Sequence, residues 1–293
     1  MTPIPFRHRP VALARAAAGA VPPSGLVLLA VLSVQVGAGL AKNLFATLPP
    51  SAVVFLRIAA GAIIIGLVAR PRLRGLTRHD LLVSAGFGLT LGLMNLFFYE
   101  SLARMPIGIC VTIEFIGPLG VAVAASRRRV DLLWAVLAAA GILLLAPWGG
   151  SDRLSWVGMG FAALAGLCWA GYIVMSAAAG SRFPGAAGLS LAMIVAMALV
   201  APLGVASGGA GLLDPQTLLI GVGVGLLSSV IPYSLELEAL RRMPKRVFGI
   251  LMSLEPAAAA LVGLIILGEL LNAREWAAIC CVVVASVGAT RSS

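Results

Sequence analysis

Long apolar runs, broken at intervals by short clusters of charge, proline or glycine, are the dominant pattern of this chain. A helix needs about 20 mainly apolar residues to cross a bilayer. Read between its breaks, the sequence predicts ten such helices, near 26–45, 51–69, 81–102, 107–125, 131–148, 156–178, 186–207, 217–238, 246–267 and 273–290. The loops between them are brief and leave no room for a soluble domain. Residues 1–24, with Pro3, Pro5, Pro10, Pro22 and Pro23, read as a flexible cytoplasmic tail. Arg7, Arg9 and Arg15 precede the run Leu26–Phe45 as they would in a signal peptide. That run exceeds the ~7–15 residues of a signal core and reads as a retained first span.

Composition agrees. Of 293 residues, 60% are hydrophobic and 11% charged, against about 25% charged in soluble domains. The expected class is an all-α integral membrane protein. The net charge of +10 does not point to nucleic acid, because the basic residues gather in the short loops. With the N-terminus inside, the cytoplasmic segments hold Arg7, Arg9 and Arg15, then Arg70–Arg78, Arg127–Arg129, Arg182, Arg241–Arg246 and Arg291. The opposite loops hold only Arg104, Arg153 and Arg274. By the positive-inside rule both termini lie in the cytoplasm. Trp134, Trp148, Trp156 and Trp276 fall near span ends, where tryptophan anchors at the interface. Cys110, Cys168, Cys280 and Cys281 lie inside apolar runs without metal-ligand spacing and read as small hydrophobes.

A shift of 138 residues brings ESLARMP (Glu100–Pro106) onto EALRRMP (Glu238–Pro244) and Pro118 onto Pro256, seven identities in 23 positions. The halves are then a five-helix repeat at 25–150 and another at 151–293. Five is odd, so the second copy is inverted across the membrane. Inverted repeats let transporters rock around a site near the midplane.

Chemistry is expected where charge meets lipid depth. Lys42, Arg57, Glu114, Glu236 and Glu255 lie within or near spans, and a midplane charge costs about 2.5–3.5 kcal/mol on insertion scales. Pro118 follows Glu114 by four residues and Pro256 adjoins Glu255, so both prolines are expected to kink helices and free a carbonyl beside an acid. In the repeat register Glu255 falls on Gly117, one helical face with Glu114, so the acids come to similar depth from different halves. A carboxyl there could carry a proton. Lys42 or Arg57 could hold a substrate carboxylate and a free acid an ammonium, a set that suits a zwitterion. The structural alternative is ion pairing that locks the bundle, such as Lys42 with Glu114. Glu236 could instead snorkel to the inner interface. Asn95, Tyr99, Trp169, Tyr172 and Tyr233 are cavity candidates or interhelical contacts. The glycines at 37 and 39, at 86, 88 and 92, and at 221, 223 and 225 suit close helix packing, within the chain or between copies. His8 and His79 lie outside the spans, and neither HExxH nor GxSxG occurs, so an embedded enzyme has no visible nucleophile–base pair. No cofactor or metal is expected.

The chain resembles the ten-span drug/metabolite exporters, in their metabolite-efflux branch. The resemblance rests on QVGAGLAKNLF (Gln35–Phe45), FLRIAAG (Phe55–Gly61), GLMNLFFY (Gly92–Tyr99), EFIGPLGVAV (Glu114–Val123), SRRRVD (Ser126–Asp131), IPYSLELEAL (Ile231–Leu240) and FGILMSLEPAAAALVGLIILGE (Phe248–Glu269). It covers most of the chain from 26 to 290. It implies two five-helix repeats in a bacterial inner membrane and efflux of small amino acids such as threonine or homoserine, driven by proton influx. Export of another metabolite or a drug is the alternative. Lys42, Arg57, Glu114, Glu236 and Glu255 sit in the matching stretches, without a role for each being implied.

Overall fold

In the computed structural model, residues 21–71, 75–125, 130–145, 154–183 and 186–292 are described. The predicted tail before residue 21, Trp148, Arg153 and the basic run Arg127–Arg129 lie outside them. Each of the ten apolar runs is helical. In chain order the helices are α1 (Pro23–Asn43), α2 (Pro50–Ala69), α3 (Arg78–Leu102), α4 (Ile107–Glu114), α5 (Ile116–Ala125), α6 (Val130–Leu145) and α7 (Trp156–Arg182). There follow α8 (Ala187–Gly208), α9 (Pro215–Gly225), α10 (Ile231–Arg242), α11 (Lys245–Met252), α12 (Glu255–Leu267) and α13 (Ala273–Ser292). Among the described residues there is no strand. Eight helical stretches are long and apolar enough to cross a membrane, and two apolar stretches are shorter, Ile107–Val121 and Leu132–Leu145.

Helix ends follow local chemistry. Proline opens α1, α2 and α9 at the first turn, where its missing N–H costs nothing. Thr77 and Asp80 cap α3 reciprocally, which satisfies two of its free N–H groups. The polarity of the bundle is that of a lipid-immersed protein. Leu67, Leu82, Leu133, Leu167, Leu219 and Ile265 are exposed on the outside, while Gln35, Arg57, Asn95, Glu114 and Glu255 are buried.

α3 packs on α7 and α8, α2 on α8, α6 on α13, and α1 on α10 and α12, while α4 lies between α7 and α12. Glycine lets these helices approach. A β-carbon at Gly88 would meet the Ala192 carbonyl at 2.6 Å, and one at Gly92 would meet the Leu199 side chain at 2.9 Å. Gly37, Gly39, Gly86, Gly221 and Gly225 likewise face other helices of the same chain, whereas Gly223 faces open space. Most of the glycine pattern thus serves packing within the bundle.

Two helices are broken. Phe115 is a turn between α4 and α5, and Ser253–Leu254 a turn between α11 and α12. Pro118 and Pro256 follow these turns and cannot donate to the carbonyls of Glu114 and Met252. The Glu114 carbonyl is covered instead by the backbone of α7. A β-carbon at Gly166 would lie 2.5 Å from that oxygen, and one at Gly117 would collide with the Gly166 carbonyl. A third irregularity is the π-helical segment Leu226–Val230 between α9 and α10. Such bulges release backbone carbonyls and are frequent at functional sites.

The crossing at Gly117 and Gly166 gives a first prediction. Gly166→Ala is expected to destabilise the purified protein by about 1–3 kcal/mol, as overpacking does. Gly160→Ala on the same helix, with nothing near its position, is expected to be neutral or mildly stabilising. Thermal unfolding in detergent compares them, and equal midpoints would refute the close crossing.

Candidate functional site

The centre of the bundle encloses a cavity of about 500 Å³, within the size range of small-molecule sites. Its wall takes Gln35 and Ala38 from α1, Arg57 from α2, Asn95 from α3, and Glu114 and Pro118 from the first broken helix. The rest of the chain adds Trp169 and Tyr172 from α7, Ser228 from the π segment, Tyr233 and Glu236 from α10, Glu255 from α12 and Ser286 from α13. Polar groups sit at lipid depth here because each faces protein or the cavity rather than hydrocarbon.

Arg57 is the only basic residue among the described lining residues, and it is 5% exposed. Its guanidinium is held from three directions. Nη2 donates to the Ser228 carbonyl at 2.9 Å, Nε to Ser229 Oγ at 3.4 Å and Nη1 to the Tyr99 hydroxyl at 3.4 Å. The Tyr99 ring lies under it, 5.4 Å from centroid to Cζ, a cation–π geometry. The carbonyl it uses lies in the π segment and four residues before Pro232, which has no N–H to offer it. None of the ion pairs among the described residues involves Arg57. A guanidinium has five N–H donors, so some remain for a ligand.

Three acids share this cavity with the one base. Glu114 and Glu255 are buried, Glu255 Oε2 without a hydrogen-bond partner. Glu236 is half-buried. Three carboxyls and one guanidinium thus meet in one cavity. Asn95 donates its amide to the Leu91 carbonyl at 2.8 Å and turns the rest of its side chain to the cavity wall. Trp169 meets Phe115 edge-on at 5.4 Å, packing at the first helix break. Tyr99 is fully buried and stands behind Arg57 rather than in the lining.

Lys42 lies elsewhere. It sits one helical turn beyond Ala38, in a second pocket of about 310 Å³. Its Nζ is 2.6 Å from Glu269 Oε1 and donates to the Met105 carbonyl at 2.6 Å. Glu269 Oε2 in turn accepts the Ile107 N–H at 2.8 Å. The partner is therefore Glu269 and not Glu114. This knot ties the ends of α1 and α12 to the loop before α4. Pro256, at the start of α12, is buried and outside the lining. Sequence reasoning passed over Glu269, which follows a glycine at the end of an apolar run and reads as a loop acid. It also passed over Gln35 and Ser228, uncharged residues with no pattern of their own. Among the described residues no cluster of ligating side chains could hold a metal.

The cavity is that of a transporter, and sequence comparison agrees. The threonine/homoserine exporter RhtA of Salmonella typhimurium is 40% identical over 266 residues, 90% of each chain. This chain belongs to the EamA-like family of drug/metabolite transporters. The RhtA of Escherichia coli is 39% identical over 269 residues, 92% of this chain and 91% of that one. The model of the EamA-like transporter family matches residues 156–291. A crystal structure 19% identical in sequence superposes with a TM-score of 0.56 over 92% of this chain and 97% of its own, so the fold is a known one. The relatives are transporters and not enzymes.

The Lys42–Glu269 pair yields a second prediction for this EamA-like chain. Lys42→Met and Glu269→Gln are each expected to lower stability by about 1–3 kcal/mol, since each leaves a partly buried charged or polar partner unmatched. The double variant should lose less than the sum, with a coupling of about 1 kcal/mol. Additive losses in thermal or denaturant unfolding would mean that the contact contributes nothing.

Proposed function

We propose that this EamA-like transporter exports small amino acids, threonine and homoserine among them, by alternating access in exchange for protons. The observation that carries the reading is the central cavity, in which one guanidinium and three carboxyls converge from both halves of the chain. Arg57 suits the carboxylate of an amino acid. Glu114 and Glu255 line the wall, and at least one of them cycles its proton. Glu236, Asn95, Trp169 and Tyr233 complete the lining, while Tyr99 keeps Arg57 in position. Lys42 belongs to the closure and not to the substrate. The names of the RhtA relatives support the substrate class.

The architecture in this reading is ten spans in two inverted five-helix repeats, at 25–150 and 151–293. Two observations support it. The turns at Phe115 and Ser253 occupy the same position of the repeat. The helix contacts also exchange under it: α3 on α7 corresponds to α10 on α1, and α5 on α7 to α12 on α1, while α2 with α8 and α6 with α13 map onto themselves. The protein then lies in a bacterial inner membrane with both termini in the cytoplasm. The cavity wall continues through Ser176, Leu240, Phe248 and Thr290, toward the helix ends bearing Arg182, Arg241, Arg242 and Arg291. The Lys42–Glu269 knot is at the other end. By the positive-inside rule the cavity opens inward and the knot is the outer closure.

Efflux from preloaded vesicles tests the mechanism. With wild type, an imposed pH gradient is expected to accelerate threonine and homoserine efflux. Glu114→Gln or Glu255→Gln should abolish that acceleration, and Arg57→Gln should raise the KM for either substrate about tenfold or more. If both acid variants fold and remain gradient-coupled, neither acid carries the proton. If wild type moves neither amino acid, growth protection against a panel of toxic metabolites and drugs tests the alternative cargo.

A further inference from the structure

Beyond the charged residues, the cavity wall holds polar side-chain atoms without partners. They are Gln35 Oε1, Ser228 Oγ and Glu255 Oε2, on residues that are 4%, 0% and 6% exposed. All three residues line the one cavity. A buried polar atom left unmatched costs about 1–3 kcal/mol, so those of Gln35 and Glu255 are poised for a ligand. The wall's chemistry divides. The Ser228 carbonyl holds Arg57 Nη2 while its hydroxyl packs against Gly37 of α1, so the guanidinium is the donor end. Gln35 Oε1 can only accept, and the same holds for Glu255 Oε2 while its carboxyl is ionised.

Those two acceptors belong to one stretch of wall. α1 and α12 pack side by side, and a β-carbon at Gly39 would lie 3.3 Å from Val262 Cγ1 and 3.7 Å from Ile266 Cγ2. Both helices run from this level back toward their N-termini in the same sense, which carries α1 to Gln35 and α12 to Glu255. Helical side chains lean toward the N-terminus, so Gln35 extends further in the direction of Glu255. Two acceptors without a donor between them fit a group rich in N–H.

We propose that Gln35 is a specificity residue: with Glu255 it receives the ammonium group of the substrate, while Arg57 receives its carboxylate. This inference rests on the reading of the cavity as an amino-acid site. It assigns the cavity a polarity along which a zwitterion fits in one direction, and it excludes solutes that carry a carboxylate without an amine. Sites built around a hydrogen bond reject analogues that lack the group, because their own polar atoms are then left unpaired.

Binding to the purified full-length protein tests it, using threonine and 3-hydroxybutanoate, the analogue that lacks its amine. Wild type should prefer threonine by about 100-fold or more. Gln35→Leu should weaken threonine about 10- to 100-fold and leave the analogue unchanged, so that the preference shrinks. Gln35→Glu keeps an acceptor and should retain the preference, which keeps the test open if Gln35→Leu does not fold. Equal weakening of both ligands by Gln35→Leu, or no change in either, would overturn the ammonium role and leave the exporter reading standing. No binding of threonine or homoserine by wild type would overturn both.

Discussion

A guanidinium at lipid depth is the constraint around which this bundle is organised. Arg57 cannot reach water, so its N–H groups must find acceptors inside the protein. It finds them in Tyr99, Ser229 and a main-chain carbonyl of Ser228. The last of these is free for Arg57 because the residue four further on is Pro232, which has no N–H to offer it; the segment Leu226–Val230 just before that proline is π-helical. The irregularity, the buried charge and the tyrosine thus depend on one another. α1 is drawn into the same arrangement, since Ser33 Oγ donates to the Leu227 carbonyl at 2.7 Å and Gly37 allows α1 to rest on Ser228.

The two broken helices solve a related problem. Interrupting a helix in hydrocarbon exposes carbonyls that nothing outside can satisfy. Here both interruptions turn inward. The Glu114 carbonyl lies against the backbone of Gly166 and away from hydrocarbon, and the acids at the breaks line the cavity. Proline makes the position of the break non-negotiable, because it removes one hydrogen bond whatever the packing. The break therefore fixes where an acid can project, and the bundle is built around that choice.

This division explains what the sequence could disclose. The apolar runs are legible because spanning length and hydropathy are properties of consecutive residues. Glu114, Glu255 and Arg57 are legible because charge in such a run is costly enough to need a reason. Pro118 and Pro256 are legible because proline's effect is local, and they mark where the helices are interrupted. The partner of Lys42 was not legible. Glu269 lies 227 residues away, and Glu114 is the acid that lipid depth alone would nominate. Gln35 and Ser228 were equally hidden, since an amide or hydroxyl in a span is cheap enough to be structural. Their importance follows from lacking a partner, which only the folded arrangement reveals. The π segment has no sequence signature apart from Pro232 just beyond it.

For the alternating access proposed above, the Lys42–Glu269 knot sets a condition. Three helix ends meet there through an ion pair and two hydrogen bonds from or to main chain. Bonds to charged groups contribute about 1.5–3 kcal/mol each, so opening that end by itself would leave most of a protein's net stability at risk. Two conformations can interconvert only if their free energies lie within a few kcal/mol. Contacts formed at the basic end must therefore offset those lost at the knot. A lone mobile gate would not meet that condition, whereas two halves rocking as bodies would, because closing one end and opening the other are then a single motion. The Gly117–Gly166 crossing suits a pivot for it. There backbone meets backbone with a glycine on each side and no side chain between.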